Sequence, residues 1–193
     1  MTLSRWHYIA AGLAVAALAI AGVLYGMSAK PVHADGAAPP ATLAPFAAAK
    51  APVPVPQVAI GDASGARLSL AAFKGRYVLL NLWAPWCAPC VRELPALAKL
   101  KVAAAGPRLA VIAVDVGRGT AADARSFLDD HDARALDTYV DSNSALLRAF
   151  ATYGLPLTIL IDPKGREIGR ALGPAAWDSP EAIAWFKGLA AKP

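Results

Sequence analysis

Cysteine and histidine are both scarce in this chain of 193 residues. It has two cysteines, Cys87 and Cys90, and three histidines, of which two stand at positions 7 and 33. A structural zinc site needs four ligands of the Cys, His, Asp or Glu type, so the small number of cysteines and histidines argues against a zinc site. Covalent haem attachment needs histidine directly after the second cysteine, and Val91 stands there instead. The pair therefore needs another explanation.

Two further patterns are missing. The net charge is +5, from 19 basic and 14 acidic residues, yet no run of Lys or Arg is interleaved with aromatics as in nucleic-acid-binding proteins. A Gly-X-Ser-X-Gly turn, which would present the nucleophile of a serine hydrolase, does not occur. Neither function is indicated.

Charged side chains are absent from residues 6–29. This apolar stretch is about long enough for a helix that crosses the hydrocarbon core of a membrane, and Arg5 before it favours a cytoplasmic N-terminus. We expect residues 1–29 to be an uncleaved signal-anchor in a bacterial inner membrane, with the remainder in the periplasm. A cleaved signal peptide is the alternative, because small residues near 27–34 resemble a cleavage site.

Residues 30–57 contain seven of the sixteen prolines and many alanines. This composition is typical of a semi-rigid, extended tether. From residue 58 onward, strand and helix patterns alternate, which predicts one α/β domain over 58–193. The predicted helices are 87–105, 120–131, 142–154 and 179–192. The predicted strands are 75–84 and 108–117, running parallel, with a hairpin at 157–172 and a turn with short flanking strands at 61–70.

The two cysteines lie where a buried strand ends and a helix begins. A structural disulfide remains an alternative, but a bridge over two residues closes so short a loop that it gains little stability. At the start of a helix, free N–H groups and the helix dipole would lower the thiol pKa of Cys87. Pro89 suits the first helical turn, and Cys90 would lie further inside. This favours reversible redox exchange in which Cys87 attacks and Cys90 resolves.

The segment "LLNLWAPWCAPCVRELP" resembles the active-site segment of thioredoxin-like proteins, and "GLPLTILID" resembles their cis-proline loop. The resemblance implies a thioredoxin-like α/β fold, with a mixed central sheet flanked by helices. It also implies that Pro156 is the cis-proline, that Leu155 offers backbone groups to a client peptide added as a strand, and that Pro95 kinks the first long helix.

Within that superfamily, the anchor, the tether, "GARLSLAAFKGRYVLLNLW" and the Cys-X-Pro-Cys-X-X-Glu core resemble the membrane-anchored TlpA/ResA subgroup. The resemblance implies a periplasmic protein-disulfide reductase that a membrane protein supplies with electrons. Its clients would be cysteine pairs in copper-delivery proteins, in a copper-binding oxidase subunit or in apocytochrome c. We expect a monomer with no dissociable cofactor and no metal, since the Cys87–Cys90 disulfide is the redox group.

Two positions depart from ordinary thioredoxin. Asn81 stands where thioredoxin keeps a buried aspartate, and an amide cannot accept a proton from Cys90. Glu93 follows Cys90 by three residues, on the same helical face, and resembles the acid that this subgroup keeps near its cysteines. We expect Glu93 to move the proton of Cys90. Trp86 is expected at the apolar rim where clients dock, and Trp83, of opposite strand parity, in the core.

The residues between the cysteines also predict the direction of electron flow. The residues between the cysteines, Ala88 and Pro89, include no histidine to stabilise the Cys87 thiolate, which favours a reductant over a disulfide-forming oxidase. A copper(I) chaperone is a further alternative, but Met1 and Met27 lie in the leader and leave no third soft ligand. A thiol peroxidase lacks its characteristic surroundings. We assign no role to Asp115 or His131.

Overall fold

The computed structural model describes residues 38–191. An eight-stranded mixed sheet has the order β1-β8-β7-β4-β5-β6-β2-β3. The strands are β1 (Ala47–Pro54), β2 (Ala59–Asp62), β3 (Arg67–Ser69), β4 (Tyr77–Trp83), β5 (Leu109–Asp115), β6 (Thr138–Val140), β7 (Leu157–Ile161) and β8 (Arg166–Leu172). The helices are α1 (Ala88–Ala104), α2 (Ala121–Asp130), α3 (Ala145–Ala149) and α4 (Pro180–Ala191), with short 3-10 helices at Ala41–Leu43 and Leu70–Phe73.

The two central strands correspond to the apolar runs that predict strands at 75–84 and 108–117. Every residue of β4 and of β5 is buried, as expected for strands covered on both faces. They pair in parallel, from Tyr77 beside Leu109 to Trp83 beside Asp115, which confirms the prediction. On the other side of β4 lies β7, antiparallel, as the first strand of the predicted β7–β8 hairpin.

Side chains alternate between the two faces of the sheet and build two apolar clusters. Leu79 and Trp83 of β4 belong to the cluster that α1, α2 and α4 cover. Leu80 and Leu82 belong to the cluster on the opposite face, which α3 and the second 3-10 helix cover. Asn81 has the parity of Leu79 and Trp83, so its polar side chain lies on the α1 face.

The predicted tether at 30–57 is wrong for its second half, and so is the domain boundary at 58. The strand β1 pairs antiparallel with β8, and Leu43 before it is completely buried. Phe46 packs edge-on against Trp185 of α4, with 6.0 Å between ring centroids. The prolines of β1 are tolerated because it is an edge strand, whose outer side forms no ladder. The domain therefore includes the chain from Leu43 onward, and residues 30–37 lie outside the described part.

This packing makes the N-terminal segment a stability element. Replacing Leu43 with alanine removes a fully buried side chain and should lower the free energy of unfolding by about 2–5 kcal/mol. Val53→Ala in β1 is the matched control, because Val53 is 57% exposed and its loss should cost less than about 1 kcal/mol. Urea unfolding of both variants measures the difference. Equal stability of the two would mean that the segment does not pack on the domain in solution.

The helix predicted at 142–154 is much shorter than expected. Its only α-helical residues are Ala145–Ala149, because Ala151 takes a left-handed conformation with φ of 50°. The N–H of Thr152 then donates to the carbonyl of Leu147, and that of Ala151 to Arg148, which is the Schellman pattern of helix termination. The chain from Ala151 to Leu155 is released to form a loop beside the cysteines.

The predicted membrane anchor, residues 1–29, falls outside the described residues. Within 38–191, the helices are too short or too polar to cross a bilayer.

Candidate active site

Cys87 caps the first long helix. The strand β4 ends at Trp83, the N–H of Cys87 donates to the carbonyl of Ala84, and α1 begins one residue later. With φ of −90° and ψ of 92°, Cys87 has the extended backbone of an N-cap. Its Sγ accepts a hydrogen bond from the N–H of Cys90 at 3.3 Å. The sulfur therefore takes the place that Ser or Asp oxygens usually hold, where N–H groups and the helix dipole favour negative charge.

The two cysteines form a disulfide, with an S–S distance of 2.04 Å. They differ in access to solvent, since Cys87 is 6% exposed and Cys90 is completely buried. Pro89 occupies the second position of α1, where a missing N–H leaves no hydrogen bond unmade. Pro95 lies within the same helix, and Leu94, Leu97 and Leu100 on its inner face are buried.

An apolar groove of about 670 Å³ opens over Cys87. One wall comes from Trp86, which is 72% exposed, and the helix start behind it. The other wall comes from α3 and its following loop, with Leu147, the fully exposed Tyr153 and Leu155. Trp86 and Leu155 thus lie where the sequence predicts them, whereas Trp83 is completely buried in the core.

The peptide bond between Leu155 and Pro156 is cis, as the resemblance implies. Pro156 is buried, and its carbonyl accepts a hydrogen bond from the N–H of Gly173 at 2.9 Å. That bond ties the loop to the end of β8. The next residue begins β7, so the C-terminal end of the loop is fixed by the sheet.

Glu93 lies in α1 three residues after Cys90 and is only 3% exposed. Its Oε1 accepts from Nδ2 of Asn81 at 2.8 Å, and its Oε2 accepts from Nε1 of Trp177 at 2.9 Å. The N–H of Ala175 is a third, longer donor at 3.4 Å. Residues three apart on a helix have Cβ atoms about 5–6 Å from each other, so the side chains of Glu93 and Cys90 begin from neighbouring positions on one face of α1.

Burial raises the pKa of Glu93 from its ordinary value of 4.5 to about 7. Loss of water disfavours the charged carboxylate, and the hydrogen bonds from Trp177 and Asn81 offset only part of that cost. Close to neutral pH, the group therefore exists in both protonation states. A proton carrier needs this property.

Asn81 links Glu93 to the centre of the sheet. It lies opposite Thr158 of β7 in the strand register, and its Nδ2 donates to Oγ1 of Thr158 at 2.9 Å. Within residues 38–191, the Oδ1 atom of Asn81 is buried without a hydrogen-bond partner. If the side-chain amide of Asn81 rotates by 180°, its Oδ1 can accept a hydrogen bond from the O–H of a protonated Glu93. Asn81 can therefore pair with either charge state of the carboxyl group.

Several residues of this site were not singled out from the sequence. Trp177, on the loop before α4, is completely buried, and its indole N–H donates to Glu93. No spacing in the sequence connects it to the cysteines. Tyr153 and Leu147 come from the helix that proved short. A left-handed residue such as Ala151 has no sequence signal, because glycine usually takes that place.

The remaining polar candidates are accounted for structurally. Asp115 is buried at the end of β5, where its Oδ1 accepts from the N–H of Gly117 at 2.7 Å, and burial raises its pKa. His131 ends α2 and stacks on Phe127, with 3.9 Å between ring centroids. Within the described chain, no group of three or more His, Cys, Asp or Glu is arranged to hold a metal ion.

Fold and site together define a thioredoxin-fold protein with a cysteine pair at the start of its first long helix. The chain belongs to the AhpC/TSA family, which matches residues 49–168. The thioredoxin domain of a thiol-disulfide oxidoreductase from Bacteroides vulgatus has the same fold, with a TM-score of 0.60 and 24% identity over 72% of this chain and 98% of that one. The thioredoxin-like mixed sheet flanked by helices is therefore confirmed.

Two relatives place the chain more narrowly among thioredoxin-like proteins. The chain is 30% identical over 113 residues to the thiol-disulfide oxidoreductase ResA of Bacillus subtilis (strain 168), covering 58% of this chain and 62% of ResA. It is 38% identical over 111 residues to the thioredoxin-like protein YneN of the same strain, covering 57% of this chain and 52% of YneN. The aligned part spans between half and two thirds of these relatives. The matches confirm the predicted TlpA/ResA type.

Proposed function

We propose that this protein is a thiol:disulfide oxidoreductase that reduces cysteine pairs in client proteins. The observation that carries the proposal is the asymmetry of the pair: Cys87 caps α1 at the floor of an apolar groove, and Cys90 is buried behind it. A structural disulfide needs neither the groove nor the buried carboxyl group of Glu93. The names of the relatives, thiol-disulfide oxidoreductases among them, support the same activity.

In the first step, a client segment lies along the groove between Trp86 and Leu155, whose backbone offers an N–H and a carbonyl to an added strand. The thiolate of Cys87 attacks one sulfur of the client disulfide. A mixed disulfide forms between Cys87 and that sulfur, and the second client sulfur leaves as a thiolate that takes a proton from water. The helix N-terminus lowers the thiol pKa of Cys87 and so supplies the thiolate.

In the second step, Cys90 resolves the mixed disulfide. Its thiol passes a proton to the carboxylate of Glu93, and the resulting thiolate attacks Sγ of Cys87. The Cys87–Cys90 disulfide forms, and the client leaves with both sulfurs reduced, the second taking up a proton. Two electrons have moved from the protein to the client. Asn81 and Trp177 hold the carboxyl group in place for this transfer.

We further propose the reducing direction, because Ala88 and Pro89 provide no cation to stabilise the Cys87 thiolate as strong oxidants do. A membrane protein would return two electrons to the disulfide, and the predicted anchor at 1–29 would hold the domain beside it in the periplasm. The proposed clients are copper-delivery proteins, a copper-binding oxidase subunit or apocytochrome c. The protein would act as a monomer, without metal or dissociable cofactor.

The reduction potential of the Cys87–Cys90 pair tests this direction. We expect a value well below about −180 mV when the domain from residue 38 onward is equilibrated with glutathione. A value near about −120 mV would mean that the protein installs disulfides. Titration with Cu(I) against a chelator, and consumption of peroxide by the wild type and by Cys87→Ser, test the chaperone and peroxidase alternatives on the same preparation.

A further inference from the structure

The groove over Cys87 is lined by one cationic side chain and by no anionic one. Four polar side chains line it, but two hydroxyl groups are directed to the backbone. Ser144 Oγ donates to the carbonyl of Val116 at 2.8 Å, and Thr152 Oγ1 donates to that of Gly154 at 3.3 Å. The groups left for a ligand are the guanidinium of Arg148 and the hydroxyl of Tyr153. The guanidinium only donates hydrogen bonds, the tyrosine hydroxyl can donate or accept them, and no carboxylate is among the lining residues.

Arg148 is held in place but not neutralised. It is exposed in the last turn of α3, and its Nη1 donates to the carbonyl of Asn143 at 2.7 Å. Several other arginines of the described region, such as Arg125 and Arg170, form ion pairs with carboxylates, whereas Arg148 forms none within residues 38–191. Its remaining N–H groups are available. A guanidinium fixed at one nitrogen has less freedom to lose when it binds a carboxylate.

The rest of the groove is apolar. Trp86, Leu147 and Leu155 give it an aromatic and aliphatic surface, and exposed apolar area next to a reactive cysteine suits an apolar side chain of a bound segment. A carboxylate buried against these side chains without a cation would be strongly disfavoured. Next to Arg148 it gains a charge-assisted pair instead.

We propose that the groove selects clients whose reacting cysteine has an acidic residue and an apolar residue close by in sequence, with Arg148 as the specificity-determining residue for the acid. This inference rests on the proposed reductase function. The apolar residue lies against Trp86 and Leu147, the acidic one accepts from Arg148 and Tyr153, and the client sulfur faces Cys87.

Synthetic disulfide-cyclised peptides test the proposal. The probes are peptides that differ only by Glu, Gln or Lys at one position, placed in turn at each site within four residues of the reacting cysteine. At low salt, we expect the wild type to reduce the best Glu peptide about three- to ten-fold faster in kcat/KM than its Gln counterpart, mainly through KM, with Lys slowest. In Arg148→Glu the order should invert, while Arg148→Gln should show little preference.

Two controls separate the possible failures. Lys187→Glu changes the net charge equally on the exposed face of α4, away from the groove, and should keep the wild-type preference. The rate with hydroxyethyl disulfide, which is small and neutral, is measured for every variant and shows that the cysteine pair is intact. Each peptide preference is a ratio of rates within one variant, so it does not depend on that variant's rate with the small disulfide. The proposal is overturned if the wild type reduces this compound but does not distinguish Glu from Lys peptides, or if Arg148→Glu keeps the wild-type order. Failure of the wild type to reduce hydroxyethyl disulfide would refute the reductase function itself.

Discussion

Cys90→Ser is expected to accumulate a stable mixed disulfide with a disulfide-containing substrate, and Cys87→Ser to form none. Both variants should lose catalytic turnover, by about 10³-fold or more, because a missing nucleophile leaves only the uncatalysed exchange. Insulin serves as the substrate, with adducts counted by mass spectrometry under non-reducing conditions. The two variants thus share the loss of turnover but differ in the adduct.

The reason lies in the different access of the two sulfurs. Cys87 lies at the floor of the groove, where a client disulfide can approach its sulfur, whereas Cys90 is completely buried one turn into α1. When Cys90 is serine, the attack by Cys87 still occurs, but no second thiolate is present to release the client. When Cys87 is serine, the remaining thiol has neither the opening to the groove nor the place at the helix N-terminus that lowers a thiol pKa.

If Cys90 attacked and Cys87 resolved, the other variant would accumulate the mixed disulfide. A mixed disulfide that accumulates in Cys87→Ser but not in Cys90→Ser would show that Cys90 attacks, and the assigned order would be wrong. Cys87→Ser/Cys90→Ser is the control for binding without exchange. The far-ultraviolet circular dichroism of all three should match that of the wild type, since each substitution replaces a single sulfur.

The central part of the fold could be predicted because its signals are local. The apolar runs of β4 and β5 allow few alternatives, and Thr120 at the start of α2 forms the capping box with Asp123 that such a sequence predicts. The pair Cys87 and Cys90 was found in the same way, since strand, turn and helix are all encoded within one short segment. Local patterns thus position the nucleophile.

The remaining features depend on contacts between distant residues. The strand β1 has the composition of a tether and becomes a strand only because β8 offers a free edge. Gly169 lets it approach, since a Cβ there would lie 2.5 Å from Phe46 Cζ. The hydrogen bond from Trp177 to Glu93 joins residues 84 positions apart in the sequence, and no local sequence pattern predicts such a contact. Sequence therefore located the acid but not what fixes its pKa.

Glu93→Gln is expected to slow resolution of the mixed disulfide by about 10²-fold at pH 8 while leaving the first attack almost unchanged. Reaction of the reduced protein with 5,5′-dithiobis(2-nitrobenzoate) separates the steps, because each releases one thionitrobenzoate with its own absorbance phase. The second phase should quicken in the wild type as pH rises through about 7, where Glu93 loses its proton and can take that of Cys90. In Glu93→Gln, this inflection should disappear. Glu181→Gln, at the exposed start of α4, is the matched control and should retain it.

Trp177→Phe tests whether the indole positions the acid. The hydrogen bond from Trp177 stabilises the carboxylate and lowers the pKa of Glu93, so its loss should shift the inflection upward by about one pH unit. A role of Trp177 in packing alone would lower stability but leave the inflection in place. An inflection near pH 7 that persists in Glu93→Gln would assign it to another group and remove Glu93 from the mechanism.

The raised pKa of Glu93 also makes the stability of the fold depend on pH, which offers a readout free of catalysis. In the unfolded chain this carboxyl group ionises near its ordinary value of 4.5, but in the folded chain only near 7. Between these pH values the folded state holds one more proton than the unfolded state. The contribution of this proton to the free energy of unfolding is complete below about pH 4.5, and it is lost as pH rises through about 7, a loss of roughly 3 kcal/mol. Glu93→Gln has no such proton. Urea unfolding should therefore show the variant gaining stability relative to the wild type from pH 5 to pH 8, and a constant difference would mean that Glu93 is ionised throughout.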